Sequence, residues 1–136
     1  MTICHRMVWT PAIRDEWDRH QSRFARTIRV GMVARKKMCF MEVAHDATLL
    51  QRTVGTATSA SQVAIVRDDF HLIEAAVATD YTVVSLDDNA RAAFRTAVAS
   101  VKEFKDVVWA NPDSDTAVKW LENGAKPDKQ YLLGSP

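Results

Sequence analysis

The chain has 136 residues, 47% of them hydrophobic and 26% charged, which suits one globular domain with a buried core. The formal net charge of +1 excludes a global basic field as the means of holding nucleic acid, so such binding needs a local patch. Two cysteines, Cys4 and Cys39, exclude a disulfide framework and a cysteine-rich zinc site, and a reducing cytoplasm is the expected location. Residues 1–10 contain His5 and Arg6 but no apolar run of signal-peptide type. No stretch approaches the roughly 18 to 20 apolar residues of a membrane span, so no membrane partner is expected.

In chain order, Ile3 to Trp9 is β-compatible and predicts a short strand. Thr10-Pro11 predicts a helix start, with Thr10 as N-cap and Pro11 in the first helical position. Ile13, Trp17, Phe24, Ile28 and Met32 follow at helical spacing, and Gly31 is the expected interruption. A second helical piece is predicted over Ala34 to Leu50. Residues Thr53 to Gln62, rich in Thr, Ser, Ala and Gly, predict a loop, and Val63 to Val66 a short strand or a helical turn. Asp68 and Asp69 are then expected to cap an Ala-rich helix, Phe70 to Ala78, where acidic residues favour the helix dipole.

The β-branched run Tyr81 to Leu86 predicts a strand, ended by Asp87-Asp88-Asn89. Ala90, Phe94, Ala97, Val98 and Val101 mark an amphipathic helix. Asp106 to Ala110 predicts a strand stopped by Asn111-Pro112, and Asp115 to Glu122 a helix stopped by Asn123-Gly124. The organisation expected is one domain over residues 1–125 and a polar, frayed tail over 126–136. Helices alternating with strands from residue 69 onward imply βα units and a parallel sheet, hence an α/β class.

In parallel α/β sheets, ligands bind beyond the carboxyl ends of the strands. Asp87 and Asp88 lie at such an end. A helix opened by Asp68 and Asp69 and running antiparallel to the next strand would start near the same edge. Clustered carboxylates repel one another unless a cation joins them, and hard oxygen ligands suit Mg²⁺ or Mn²⁺. Caps and turns use the same residues without any metal. Arg19, Arg23, Arg26, Arg29, Arg35, Lys36 and Lys37 make residues 19–37 the basic part of the chain, fit either for a phosphate backbone or for a solvated helix face. Trp9, Trp17, Trp109 and Trp120 occupy expected core positions, and His71 and Glu74 expected helix-surface ones. His20 is four residues from Glu16, within hydrogen-bonding reach on one helix face. His5 and His45 show no partner in sequence, and the four histidines show no zinc spacing.

The segment Asp69-Phe-His-Leu-Ile-Glu-Ala-Ala-Val-Ala-Thr-Asp-Tyr-Thr-Val-Val-Ser-Leu-Asp87 resembles the C-terminal signature of PIN domains, in which an Asp opens an Ala-rich helix and a strand ends in Thr/Ser-x-Asp, here Ser85-Leu86-Asp87. Residues His5 to Thr10, followed by Pro11 to Trp17, resemble the family's second strand and the helix that carries its Glu, which matches Glu16. The resemblance spans roughly residues 5 to 110 and is most specific over 69–88. It implies a three-layer fold, a parallel sheet with helices on both faces, and a Mg²⁺- or Mn²⁺-dependent ribonuclease. Many members are toxins of toxin–antitoxin pairs. The implied catalytic residues are Glu16, Asp69 and Asp87, with Asp88 as an extra metal ligand and Asp68 as the alternative to Asp69. Implied partners are RNA and an antitoxin-like protein or a second copy. The family's first carboxylate, in an N-terminal Asp-x-Asn strand, has no counterpart here, since the first Asp is Asp15. The pattern implies an N-terminally shortened member, with impaired cleavage or with a non-catalytic RNA- or protein-binding role. In the family that strand lies between those matching His5–Thr10 and Tyr81–Leu86, so either these two pair directly or another chain fills the gap.

Overall fold

The computed structural model describes residues 5–135, with the side chain of Phe24 excepted. The first two residues of the strand expected over Ile3 to Trp9, Cys4 with them, and the last residue of the expected tail lie outside the described residues. The described residues form six α-helices and two parallel two-stranded sheets, an α/β composition. They divide into two compact units, residues 1–44 and 45–136.

In the first unit, strand β1 (Met7–Trp9) leads into helix α1 (Pro11–His20). Thr10 caps that helix as expected, its hydroxyl accepting the Ile13 N–H at 3.2 Å. The helix does not continue to Gly31. It stops at Gln21, and Ser22 caps a second helix, α2 (Arg23–Ala34), by accepting the Ala25 N–H at 3.1 Å. A serine that can bond the backbone two to three residues on competes with helix continuation, and here it wins. The helix expected over Ala34 to Leu50 is corrected. Lys36 turns the chain through the left-handed region (φ 56°), and Met38–Phe40 form β2. The edge of β1 offers these residues a ladder: Met7 pairs with Met38, Val8 with Cys39 and Trp9 with Phe40.

In the second unit, α3 (Ala47–Val54) is followed by α4 (Ala60–Val77), so the loop between them shrinks to residues 55–59. The helix expected to open at Asp68-Asp69 opens nine residues earlier than Asp69. Ser59 accepts the Gln62 N–H at 3.2 Å, while the Gln62 side-chain oxygen accepts the Thr58 N–H at 2.9 Å. Ser-x-x-Gln is the sequence pattern of a capping box, but the Gln62 oxygen takes the N–H of Thr58 rather than of Ser59, so the Ser59 cap sets the start here. Val63–Val66 is interior helix. Strand β3 (Thr82–Val84), helix α5 (Asp88–Ala97), strand β4 (Val108–Ala110) and helix α6 (Asp115–Glu122) follow the expected order. Asn123 and Gly124 (φ 101°) end α6 as expected.

The strands β3 and β4 pair in parallel, Val83 opposite Trp109. Side chains of β4 alternate between two buried clusters. Trp109 faces Val66, Phe70, Ile73, Phe94 and Phe104, stacking on Phe94 at 5.5 Å. Val108 and Ala110 face Ala117, Trp120 and Tyr131. Three of the four tryptophans are therefore core residues: Trp9, Trp109 and Trp120 are at most 9% exposed. The tail is not frayed over residues 128–135. The Trp109 N–H donates to the Tyr131 carbonyl and the Leu133 N–H to the Val107 carbonyl, both at 2.9 Å. Arg91 and Arg95 of α5 donate to the carbonyls of Gln130 and Ser135. Two apolar side chains, Tyr131 and Leu133, are buried by this docking, which a composition count of a polar tail overlooks.

Candidate functional site

The carboxyl edge of the β3–β4 pair gathers polar groups from both strand ends. Ser85 accepts the Asp87 N–H at 3.1 Å, which fixes the turn out of β3. Asp87 is the N-cap of α5, one carboxylate oxygen accepting the Ala90 N–H at 3.0 Å. Asp88 stands in the first turn of α5 and accepts from the Asn111 amide at 3.1 Å. The same amide donates to the Leu86 carbonyl, and the Asn111 side-chain oxygen accepts the Asp113 N–H at 2.9 Å. Asn111 thus ties the end of β3 to the end of β4. Its sequence signal, Asn-Pro after an apolar run, reads only as a strand stop, and its bridging role needs the parallel pairing that puts residues 86–88 beside it.

Four carboxylates follow the two strand ends: Asp87, Asp88, Asp113 and Asp115. All four are exposed, and none has a salt-bridge partner among the described residues. Carboxylate oxygens are hard donors, of the kind that suits Mg²⁺ or Mn²⁺ rather than a softer metal.

The other expected carboxylates sit differently. Asp68 and Asp69 lie in the middle of α4, with Asp69 about 13 Å along the axis from the helix start at 1.5 Å per residue. They therefore have no exposed N-terminal turn beneath them, and the expected helix-opening geometry does not hold. Glu16 lies on α1, in the first unit. The edge of β3–β4 brings Asp87 and Asp88 together. Among the described residues, no three His, Cys, Asp or Glu side chains gather as a metal-ligand set.

Glu74 is not the surface residue that its helix position suggests. Its side chain is only 11% exposed, accepting the Asp46 N–H at 2.8 Å and bonding the His45 ring at 2.9 Å. It pins the start of α3 to α4, a contact across 28 residues of sequence that spacing does not reveal.

Charge is unevenly distributed. Residues 1–44 carry nine Lys and Arg against four Asp and Glu, a net +5, whereas residues 45–136 carry nine against thirteen, a net −4. The near-neutral total hides this asymmetry. Arg19, Arg23 and Arg26 are exposed. Arg29 instead bonds Asp18 and lies over the Trp9 ring at 4.7 Å, a packed cation–π contact. No helix is long and apolar enough to cross a membrane among the described residues. Comparison with family models, with curated proteins and with solved structures finds no match to this chain.

Proposed function

We propose that this chain is a PIN-like domain that cleaves RNA with Mg²⁺ or Mn²⁺. The observation that carries this is the placing of Ser85, Asp87 and Asp88 at the carboxyl edge of a parallel strand pair, where α/β sheets bind ligands. Helices packed over both faces of β4 support the three-layer arrangement of that family. The net +5 of residues 1–44 supports an RNA partner, because phosphate contacts dominate nucleic-acid affinity. Asp87 and Asp88 would hold the cation, which when bound activates water and stabilises the charge of phosphodiester cleavage. The resemblance adds Asp69 and Glu16 to the ligand set, and an antitoxin-like protein or a second copy to the partners.

A second function has its own support. One oxygen of Asp87 is occupied as a helix cap, one oxygen of Asp88 by Asn111, and Asp69 is mid-helix. These are structural uses, and they favour a non-catalytic PIN-like domain that binds RNA or protein. Incubation of the purified protein with single-stranded RNA and Mg²⁺ or Mn²⁺ decides between them. Metal-dependent cleavage that is lost in Asp87→Asn and weakened in Asp69→Asn and Glu16→Gln is expected for the nuclease. No cleavage, or cleavage untouched by Asp87→Asn, leaves the binding domain.

A further inference from the structure

The first unit has an open pocket of about 380 Å³, within the range of roughly 300–1,000 Å³ typical of small-molecule sites. Its lining comes almost wholly from residues that end or follow the two parallel strands. Trp9, Thr10 and Pro11 leave β1, Phe40, Met41 and Glu42 leave β2, and Arg14 stands in α1. Trp9 and Phe40 are opposite one another in the ladder, so both segments depart from one carboxyl edge, the edge at which parallel α/β sheets bind ligands.

The chemistry of the wall is specific. Trp9, 4% exposed, forms a fixed floor, held edge-on by Trp17 at 5.4 Å and by Arg29 above its ring. Phe40 is 67% exposed, a flat apolar face at the rim with little packing to explain it. Such a ring suits the stacking of an aromatic base. Arg14 lies near the N-terminus of α1, where the helix dipole disfavours a cation. Its Asp15 contact, at 3.4 Å between side chains more than half exposed, is a weak counterweight in water. Pro11 has no N–H and Thr10 already takes the Ile13 N–H, so the Arg14 guanidinium is the group on this wall that an anion satisfies. Glu42, exposed, has no hydrogen bond or ion pair among the described residues and offers acceptors for hydroxyl groups.

The geometry points to this pocket as a binding site for a nucleoside 5′-monophosphate group, with the phosphate at Arg14, the base on Phe40 and the sugar hydroxyls on Glu42. The Glu42 carboxylate disfavours additional phosphates, so a monophosphate is preferred over a triphosphate. A free nucleotide and the 5′-phosphorylated end of an RNA strand both present this group. The site does not depend on the acidic edge of β3–β4.

Titration calorimetry on the full chain, in EDTA so that no divalent cation contributes, tests it with AMP, adenosine and ATP. AMP binds, and adenosine binds about tenfold more weakly, the loss of one charge-assisted contact. Arg14→Gln brings AMP to the adenosine level without changing adenosine, and Phe40→Ala weakens both. These side chains are exposed, and an unchanged circular dichroism spectrum confirms that the variants fold. A 5′-phosphorylated trinucleotide that binds more tightly than AMP assigns the site to RNA ends, and equal binding assigns it to free nucleotide. Three results overturn the site: no AMP binding at millimolar concentration, wild-type AMP affinity in Arg14→Gln, or tighter binding of ATP than AMP, which marks general attraction to a basic surface.

Discussion

Asp87 has a structural task that is visible and a metal-binding task that is proposed, and two substitutions separate them. In Asp87→Ala the cap on the Ala90 N–H is gone. Loss of an N-cap costs about 1 kcal/mol, in a range of about 0.5–2. For a cooperative unit of the size of residues 45–136, that lowers Tm by roughly 4–8 °C per kcal/mol. In Asp87→Asn the amide oxygen still caps the helix, and only the charge at the helix dipole is lost, about 0.3–1 kcal/mol. A cation bound at 100 times its Kd stabilises the native state by about 2.7 kcal/mol, which is larger than either cap effect and reads as an upward shift in Tm. Melting curves with and without Mn²⁺ therefore give a pattern. The wild type shifts up with Mn²⁺, Asp87→Asn starts near the wild type and does not shift, and Asp87→Ala starts lower and does not shift. A full Mn²⁺ shift in Asp87→Asn refutes the metal role. Equal melting of the Ala and Asn variants without metal refutes the cap as a stabilising contact.

Ser59→Ala removes the cap that sets the start of α4, costing about 0.5–2 kcal/mol. Faster amide exchange at residues 61–63 is the expected sign, and unchanged exchange refutes the Ser59 cap as the start signal. Phe94→Ala empties a fully buried position between Trp109 and Phe104, and urea unfolding should show a loss of about 3–5 kcal/mol. A loss below about 1 kcal/mol would mean that the aromatic cluster is not the centre of this core. The Arg52 guanidinium, bonded to Glu103 at 2.6 and 3.3 Å, holds that carboxyl below its ordinary 4.5. A lowered folded-state pKa stabilises above 4.5 and ceases to do so as pH falls through the folded value. Glu103→Gln should therefore melt below the wild type at neutral pH and converge with it in acid, and high salt should shrink the difference because the pair is exposed.

Much of the second half of the molecule was legible in order and type. The β-branched run before Asp87, the small-residue spacing of α5 and the Asn-Gly stop of α6 are local signals, and each element formed within a few residues of its expected place. The start of α4 carries a local signal too, Ser59-x-x-Gln62, and the acidic pair at 68–69 carries a competing one eight residues into the helix. Because the helix starts at the earlier signal, Asp69 lies in a helix interior and not at a helix opening beside Asp87.

What the sequence by itself determined about this protein is its α/β class, the cap of α1, the stop of α6 and the acidic turn after β3. These depend on backbone bonds that close within a few residues. Only the tertiary structure decided the rest. Met38–Phe40 is a strand because β1 offers it a ladder, the tail is ordered because β4 accepts it, and Glu74 is buried by residues 28 and 29 positions away. Asn111 meets Asp88 for the same reason. Bonds that close across long loops leave no period in the sequence, and strands of three residues are too short to show one.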